Sequence, residues 1–335
     1  MTNRNKTLDY ARNALNSGNA GKARRALVKV GNYQNDRDVL YLVAVSFAID
    51  KKFSKAEKLF KATLKLSGPN DALLGNLGLA QLDQGKFREA IESYLAAIDI
   101  NPGFYDALVN LASSYDYLNM MDKAVVYAQR AQKLHRNNPI VLNVLGKHAA
   151  LSNKLSEAIA LYRSSLSIQP NMPQTYALLS EAYLQAKNYK PAEDTLKQGL
   201  ISLPHNSILE NSLASLYASR RRFEDAIEVF KRMLAKDKRD TFTLAAMAET
   251  LVGLQEFDQA RDILLSAYEK FPGDAEIAAA LSNYYELHKA HDSAYQVTSS
   301  FIENLPVGAD VPDSIAIAHG KSCQRNDKLA EAQAI

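Results

Sequence analysis

Residues 71–104 read DALLGNLGLAQLDQGKFREAIESYLAAIDINPGF, and the reading of this stretch decides the fold. Apolar residues recur at helical spacing on both sides of Asp83-Gln84-Gly85-Lys86, which predicts two amphipathic helices joined by a tight turn. Pro102 closes the second helix, because proline cannot continue the backbone hydrogen-bond ladder.

Steps of 34 residues in both directions recover the same pattern. Units begin at Arg4 (one residue short), Arg37, Asp71, Tyr105, Pro139, Pro173, Ser207, Thr241 and Ala275, which gives nine repeats over residues 4–308. After a short insertion around Pro312 a partial tenth unit, residues 313–335, begins near Asp313. Position 20 of the units is Ala23, Ala56, Ala90, Ala124, Ala158, Ala192, Ala226, Ala260, Ala294 and Ala332. Position 8 is also small: Ala11, Ala44, Gly78, Ala112, Gly146, Ser180, Ala214, Ala248 and Ser282. Two antiparallel helices that cross closely need small side chains there, so that the larger residues around them interdigitate. Pro139 and Pro173 open first helices, where a missing N–H costs nothing.

Leu77-Gly78, Ala90, Tyr94, Ala97 and Pro102 stand at the spacing of the tetratricopeptide repeat, and the chain resembles that family over nearly its whole length. The resemblance implies an all-α fold, a right-handed superhelical solenoid of stacked antiparallel helix pairs. The chain departs from the family pattern at position 4, where it has no tryptophan. Leu40, Leu74, Leu108, Leu142, Tyr176 and Leu244 fill that site, and Glu210 is an exception that predicts a locally weaker seam. The resemblance further implies a concave groove lined by first helices that holds a peptide or helix of another protein. Its lining here is Asn76, Leu79, Asp83, Asn110, Ser113, Tyr117, Asn143, Lys147, Glu181, Gln185 and Asn211. Asparagine amides pair with both the N–H and the C=O of an extended chain, which gives sequence-tolerant affinity. Asn76 and Asn110 resemble the start of the asparagine ladder of O-linked N-acetylglucosamine transferases, although Val144, Leu178 and Ala246 end it. Asn143 and Lys147 stand in the wrong order for the carboxylate clamp of chaperone-tail-binding relatives, so that ligand is not expected.

The composition, 47% hydrophobic and 23% charged, is that of an ordered protein. Residues 1–70 carry 14 Lys and Arg against Asp9, Asp36, Asp38, Asp50 and Glu57, a net +9 hidden in a chain total of +3. That end reads first as a solvated face, with an acidic partner, a membrane surface or nucleic acid as alternatives. The single cysteine, Cys323, suits a reducing compartment and reads as packing. No apolar run is long enough to span a membrane, and the first residues lack a signal-peptide core, so a cytoplasmic protein is expected.

No catalytic constellation emerges. Gly18-Asn19-Ala20-Gly21-Lys22 lacks the first glycine and the Ser/Thr of a phosphate loop and fits an inter-helix turn. His288 and His291 near Glu286 read as a solvated loop, and Arg220-Arg221-Arg222 as an exposed turn. No cofactor, metal or nucleic acid is expected. The sequence predicts a non-catalytic scaffold for protein–protein interaction. The alternative is the recognition arm of a larger enzyme of glycosyltransferase or sulfotransferase type, suggested by the absence of a polar capping helix before Ile335. Self-association through uncovered array ends is a further expectation.

Overall fold

The computed structural model describes residues 3–30, 35–135, 137–306 and 308–325. Ala332 and the rest of the partial tenth unit beyond Arg325 lie outside them. Every regular element among the described residues is helical, and they fall into two compact units, Met1–Pro170 and Asn171–Ile335. The first unit holds α1 (Asn3–Asn16), α2 (Ala20–Leu27) with a short 3-10 turn at Val28–Val30, α3 (Arg37–Ile49), α4 (Phe53–Ser67), α5 (Asp71–Leu82), α6 (Phe87–Ile100), α7 (Tyr105–Tyr117), α8 (Met121–Leu134), α9 (Pro139–Leu151) and α10 (Leu155–Ile168). The second holds α11 (Pro173–Gln185), α12 (Tyr189–Ser202), α13 (Ser207–Ser219), α14 (Phe223–Lys236), α15 (Thr241–Gly253), α16 (Phe257–Lys270), α17 (Ala275–Leu287), α18 (His291–Glu303) and α19 (Asp313–Arg325). Within each unit the helices form antiparallel pairs, and each pair stacks on its neighbour.

The crossing of each pair explains the small residues. The nine described alanines at position 20, from Ala23 to Ala294, are all fully buried. A Cβ added at Gly78 would lie 2.7 Å from the Tyr94 ring, and one at Gly146 would lie 2.6 Å from the Tyr162 ring. In the second unit the same approach lets Ser180 Oγ donate to the Ala192 carbonyl at 3.1 Å and Ser282 Oγ to that of Ala294 at 3.2 Å.

The turn inside each pair has one backbone form. The residue at position 15 has a positive φ in all nine pairs, and Gly18 and Gly85 are the only glycines among Lys51, Asn119, Asn153, Lys187, Arg221, Gln255 and Lys289. The following N–H reaches back across the turn, as from Lys86 to the Gln81 carbonyl at 3.0 Å and from Arg222 to that of Tyr217 at 2.8 Å. This closes the first helix with a Schellman motif. First helices are opened by the side chains of Asp36, Asn70, Asn138, Asn206, Asp240 and Asp274, which accept from backbone N–H groups of the first turn. Phe104 and Met172 occupy the same place and cap nothing.

Buried carboxylates tie one pair to the next. Glu57 on α4 accepts from Lys61 at 2.6 Å on its own helix and from Lys86 at 2.7 Å in the following turn. Glu193 on α12 repeats the device with Lys197 and with Arg222 at 2.8 Å. Glu210, the polar exception at position 4, is buried but takes both its oxygens to Lys236 Nζ, at 2.8 and 2.9 Å. The corresponding residues in the pair α5 and α6 are Leu74 and Ile100, so an ion pair stands in for an apolar one.

Candidate functional site

Asn76, Leu79 and Asn110 come together in the first unit. They line a niche of about 400 Å3 with Ala72, Gly75, Tyr94, Phe104, Asp106, Ala107, Val109 and Asn138. Three local decisions build it. Gly75 carries no side chain, and a Cβ there would lie 2.6 Å from the Phe104 ring, so this glycine admits the ring as a wall. Phe104 can be a wall because it stands where other repeats place a capping Asp or Asn. Tyr94 is admitted to the α5–α6 crossing by Gly78, and its hydroxyl is buried without a hydrogen bond of ordinary geometry.

The electrostatics of the niche follow from that hydroxyl. Burial pushes the Tyr94 phenol up, the charge of Asp83 adds to the push, and the neighbouring Asn110 amide partly offsets it. The phenol therefore stays protonated and is available to donate. Asn76 Nδ2 donates to Tyr41 Oη at 2.8 Å, which fixes the amide and leaves its carbonyl oxygen as acceptor. Asn138 Oδ1 accepts from the Ile140 and Val141 N–H groups. The niche thus offers amide and hydroxyl groups between apolar walls, a lining that suits a main chain with one inserted side chain.

Other expected groove residues have different places. Asp83 is exposed at the end of α5, and Ser113 and Asn143 are half-buried on α7 and α9. Tyr117 stacks on Phe87, with centroids 3.8 Å apart and planes at 16°. Lys147 Nζ is bound to Asp116 at 2.7 Å, so its charge is already matched. In the second unit Gln185 Nε2 donates to Glu181 Oε1 at 3.3 Å on α11, and Asn211 Oδ1 on α13 is buried without a hydrogen-bond partner. The residues the sequence reading passed over are Tyr94 as a polar floor, Phe104 as a wall, and Asp106 and Asn138. The missing cap at Phe104 was the signal that could have found them.

The residues searched for chemistry give little. His288 and His291 are not simply solvated: His288 stacks on Tyr284 at 4.3 Å, and His291 Nδ1 meets Glu286 Oε2 at 2.9 Å. Arg220 lies 3.7 Å over the Tyr189 ring, and Arg222 pairs with Glu193 and Asp225. Cys323 does have a basic neighbour, since His319 Nε2 lies 3.2 Å from its sulfur and His319 Nδ1 lies 2.8 Å from Thr298 Oγ1. All three side chains are buried, so the trio is part of the core. Among the described residues no group of His, Cys, Asp or Glu is arranged to hold a metal ion, and no helix is long and apolar enough to cross a membrane.

Comparison with known proteins agrees with this geometry. Residues 149–284 of the chain align with Protein-family models described as Tetratricopeptide repeat in two segments, 149–216 and 217–284, and such models also match 72–104 and 106–138. The chain is 26% identical over 238 residues to Protein O-mannosyl-transferase TMTC3 of Homo sapiens, covering 65% of this chain and 26% of that protein. It is 26% identical over 192 residues to BBSome complex member BBS4 of Bos taurus, covering 57% and 37%. It therefore spans well under half the length of these relatives. The crystal structure of yeast Tom70 superposes with a TM-score of 0.60 at 17% identity, over 89% of this chain and 64% of that one. With stacked antiparallel pairs, alanine crossings and family models over more than half its length, the chain belongs to the tetratricopeptide repeat family.

Proposed function

We propose that this chain is a non-catalytic scaffold that captures an extended segment of a partner protein in the niche between α5 and α7. The observation that carries the reading is the buried Tyr94 hydroxyl, which lacks a hydrogen bond of ordinary geometry, beside the Asn76 and Asn110 amides. A fully unsatisfied buried hydroxyl costs about 1–3 kcal/mol, and a ligand carbonyl would recover the part of this that the Asn110 amide does not already offset. The fold adds to this by holding both amides on rigid helices, so ordering costs fall on the ligand.

The test is capture of partners from the native lysate, with Asn110→Arg as the variant. Arginine at this half-buried position should fill the niche and abolish capture of a niche ligand while the melting temperature stays unchanged. A partner set indifferent to the variant would sink the reading. We set the protein in the cytoplasm, a reading supported by its single cysteine.

A second reading is that the array is the recognition arm of a larger enzyme. It is supported by the match to an O-mannosyl-transferase of which the chain spans only 26%. A native transcript ending after Ile335 would remove it.

A further inference from the structure

The first 70 residues carry +9, and the structure shows where the excess goes. All five of their carboxylates are engaged. Asp9 pairs with Arg12, Asp36 and Asp38 with Arg4, Asp50 with Arg24, and Glu57 with Lys61 and Lys86. Nine of the fourteen cations are left without an ion pair among the described residues, and four of these, Lys6 on α1 and Lys22, Arg25 and Lys29 on α2 and its 3-10 extension, converge. They line a cleft of about 600 Å3 with Thr7, Ala26 and Tyr10, a residue that is 54% exposed, and among the described residues no carboxylate is part of its wall.

We propose that this cleft between α1 and α2 is a binding site for a short acidic segment of a partner protein, separate from the niche at Asn110. Four like charges in one cleft repel each other, and a complementary anion relieves this while gaining charge-assisted hydrogen bonds. The span of the site selects the class of anion. From Lys22 to Lys29 the helix rises about 10 Å, the length of roughly three extended residues. A run of Asp and Glu matches that span, and the exposed Tyr10 ring and Thr7 hydroxyl give its main chain an apolar rest and a hydrogen-bonding partner. A nucleic-acid site of ordinary affinity uses about 6–10 phosphate contacts along a longer track. A membrane surface is bound by a broad face of cations, whereas these four point into one recess.

The experiment titrates the full chain with a fluorescein-labelled hexaglutamate peptide and reads anisotropy. A hexaglutamine peptide, single-stranded DNA and phosphatidylserine vesicles serve as competitors. The expected result is saturable binding of hexaglutamate that hexaglutamine does not displace. Arg25→Glu with Lys29→Glu should weaken it about tenfold or more, whereas the same reversal at the exposed Lys58 and Lys65 of α4 should leave it within about twofold. Should the first pair fail to keep the wild-type melting curve, the milder Lys6→Gln with Lys22→Gln, which draws on both walls, takes its place. Equal loss in cleft and control variants would mean that net charge alone attracts the peptide, and the proposal falls. It falls equally if no saturable binding occurs, or if DNA or vesicles displace the peptide more tightly than it binds itself.

Discussion

Gly78 and Gly146 stand in the middle of helices, where alanine ordinarily stabilises by about 0.5–1 kcal/mol. Here the sign reverses, because an added methyl meets the Tyr94 or Tyr162 ring within 3 Å and both rings are enclosed. We expect Gly146→Ala to cost about 1–3 kcal/mol in a urea melt, and shortening the facing side chain with Tyr162→Leu to restore much of it. A stabilised Gly146→Ala would show that the crossing is looser than the structure has it. These crossings were legible in the sequence, since Ala and Gly recur at two fixed positions of the repeat. The His319–Cys323 contact was equally within reach, because the two residues are four apart on one helix. The Lys236 partner of Glu210 was not, since 26 residues separate them and only the fold brings the ammonium to the carboxylate.

At the level of the element, the turn within each pair is more uniform than its sequence. Position 15 is left-handed with glycine at Gly18 and Gly85 and with large side chains elsewhere, for example Gln255 at φ 68°. A non-glycine residue in that region costs about 1–2 kcal/mol, part of which glycine loses again through its freer unfolded chain. Gln255→Gly should therefore raise stability by about 0.5–1 kcal/mol, seen as a higher urea midpoint at unchanged slope. A lower midpoint would mean that the Gln255 side chain contributes more than its backbone costs. The sequence reading located these turns from the punctuation of the apolar pattern. It could not assign their backbone form, because Lys, Asn, Arg and Gln carry no left-handed signature. It also passed over the Asp and Asn caps, and with them the one place, Phe104, where a cap is given up to build a wall.

For the molecule as a whole, the links between successive pairs set the acid limit of stability. Burial by itself would push the Glu57 carboxyl up, but hydrogen bonds from Lys61, Lys86 and Gln84 outweigh it and hold it down at about 2. Glu193 is likewise lowered, with Lys197, Tyr217 and Arg222 prevailing over burial. A folded-state value below the unfolded one of 4.5 means that the link is fully formed above about pH 4.5 and is lost as pH falls toward 2. For Glu57 this is worth on the order of 2 kcal/mol once the screening of its half-exposed lysines is allowed for. Glu57→Gln should lower the melting temperature at pH 7, and the gap from the wild type should narrow below pH 4.5 and close only as pH approaches 2. A gap that stays constant with pH would refute the link. The same neighbour-to-neighbour stacking has a genetic consequence. Excising residues 71–104 in frame would set Asn70 directly before Tyr105, with a capping side chain already in place and the next pair of helices ready to dock. The chain can thus gain or lose whole repeats by recombination without passing through a misfolded ancestor. The niche would vanish in that one step while the fold survived, so in this architecture recognition can be inherited or discarded separately from structure.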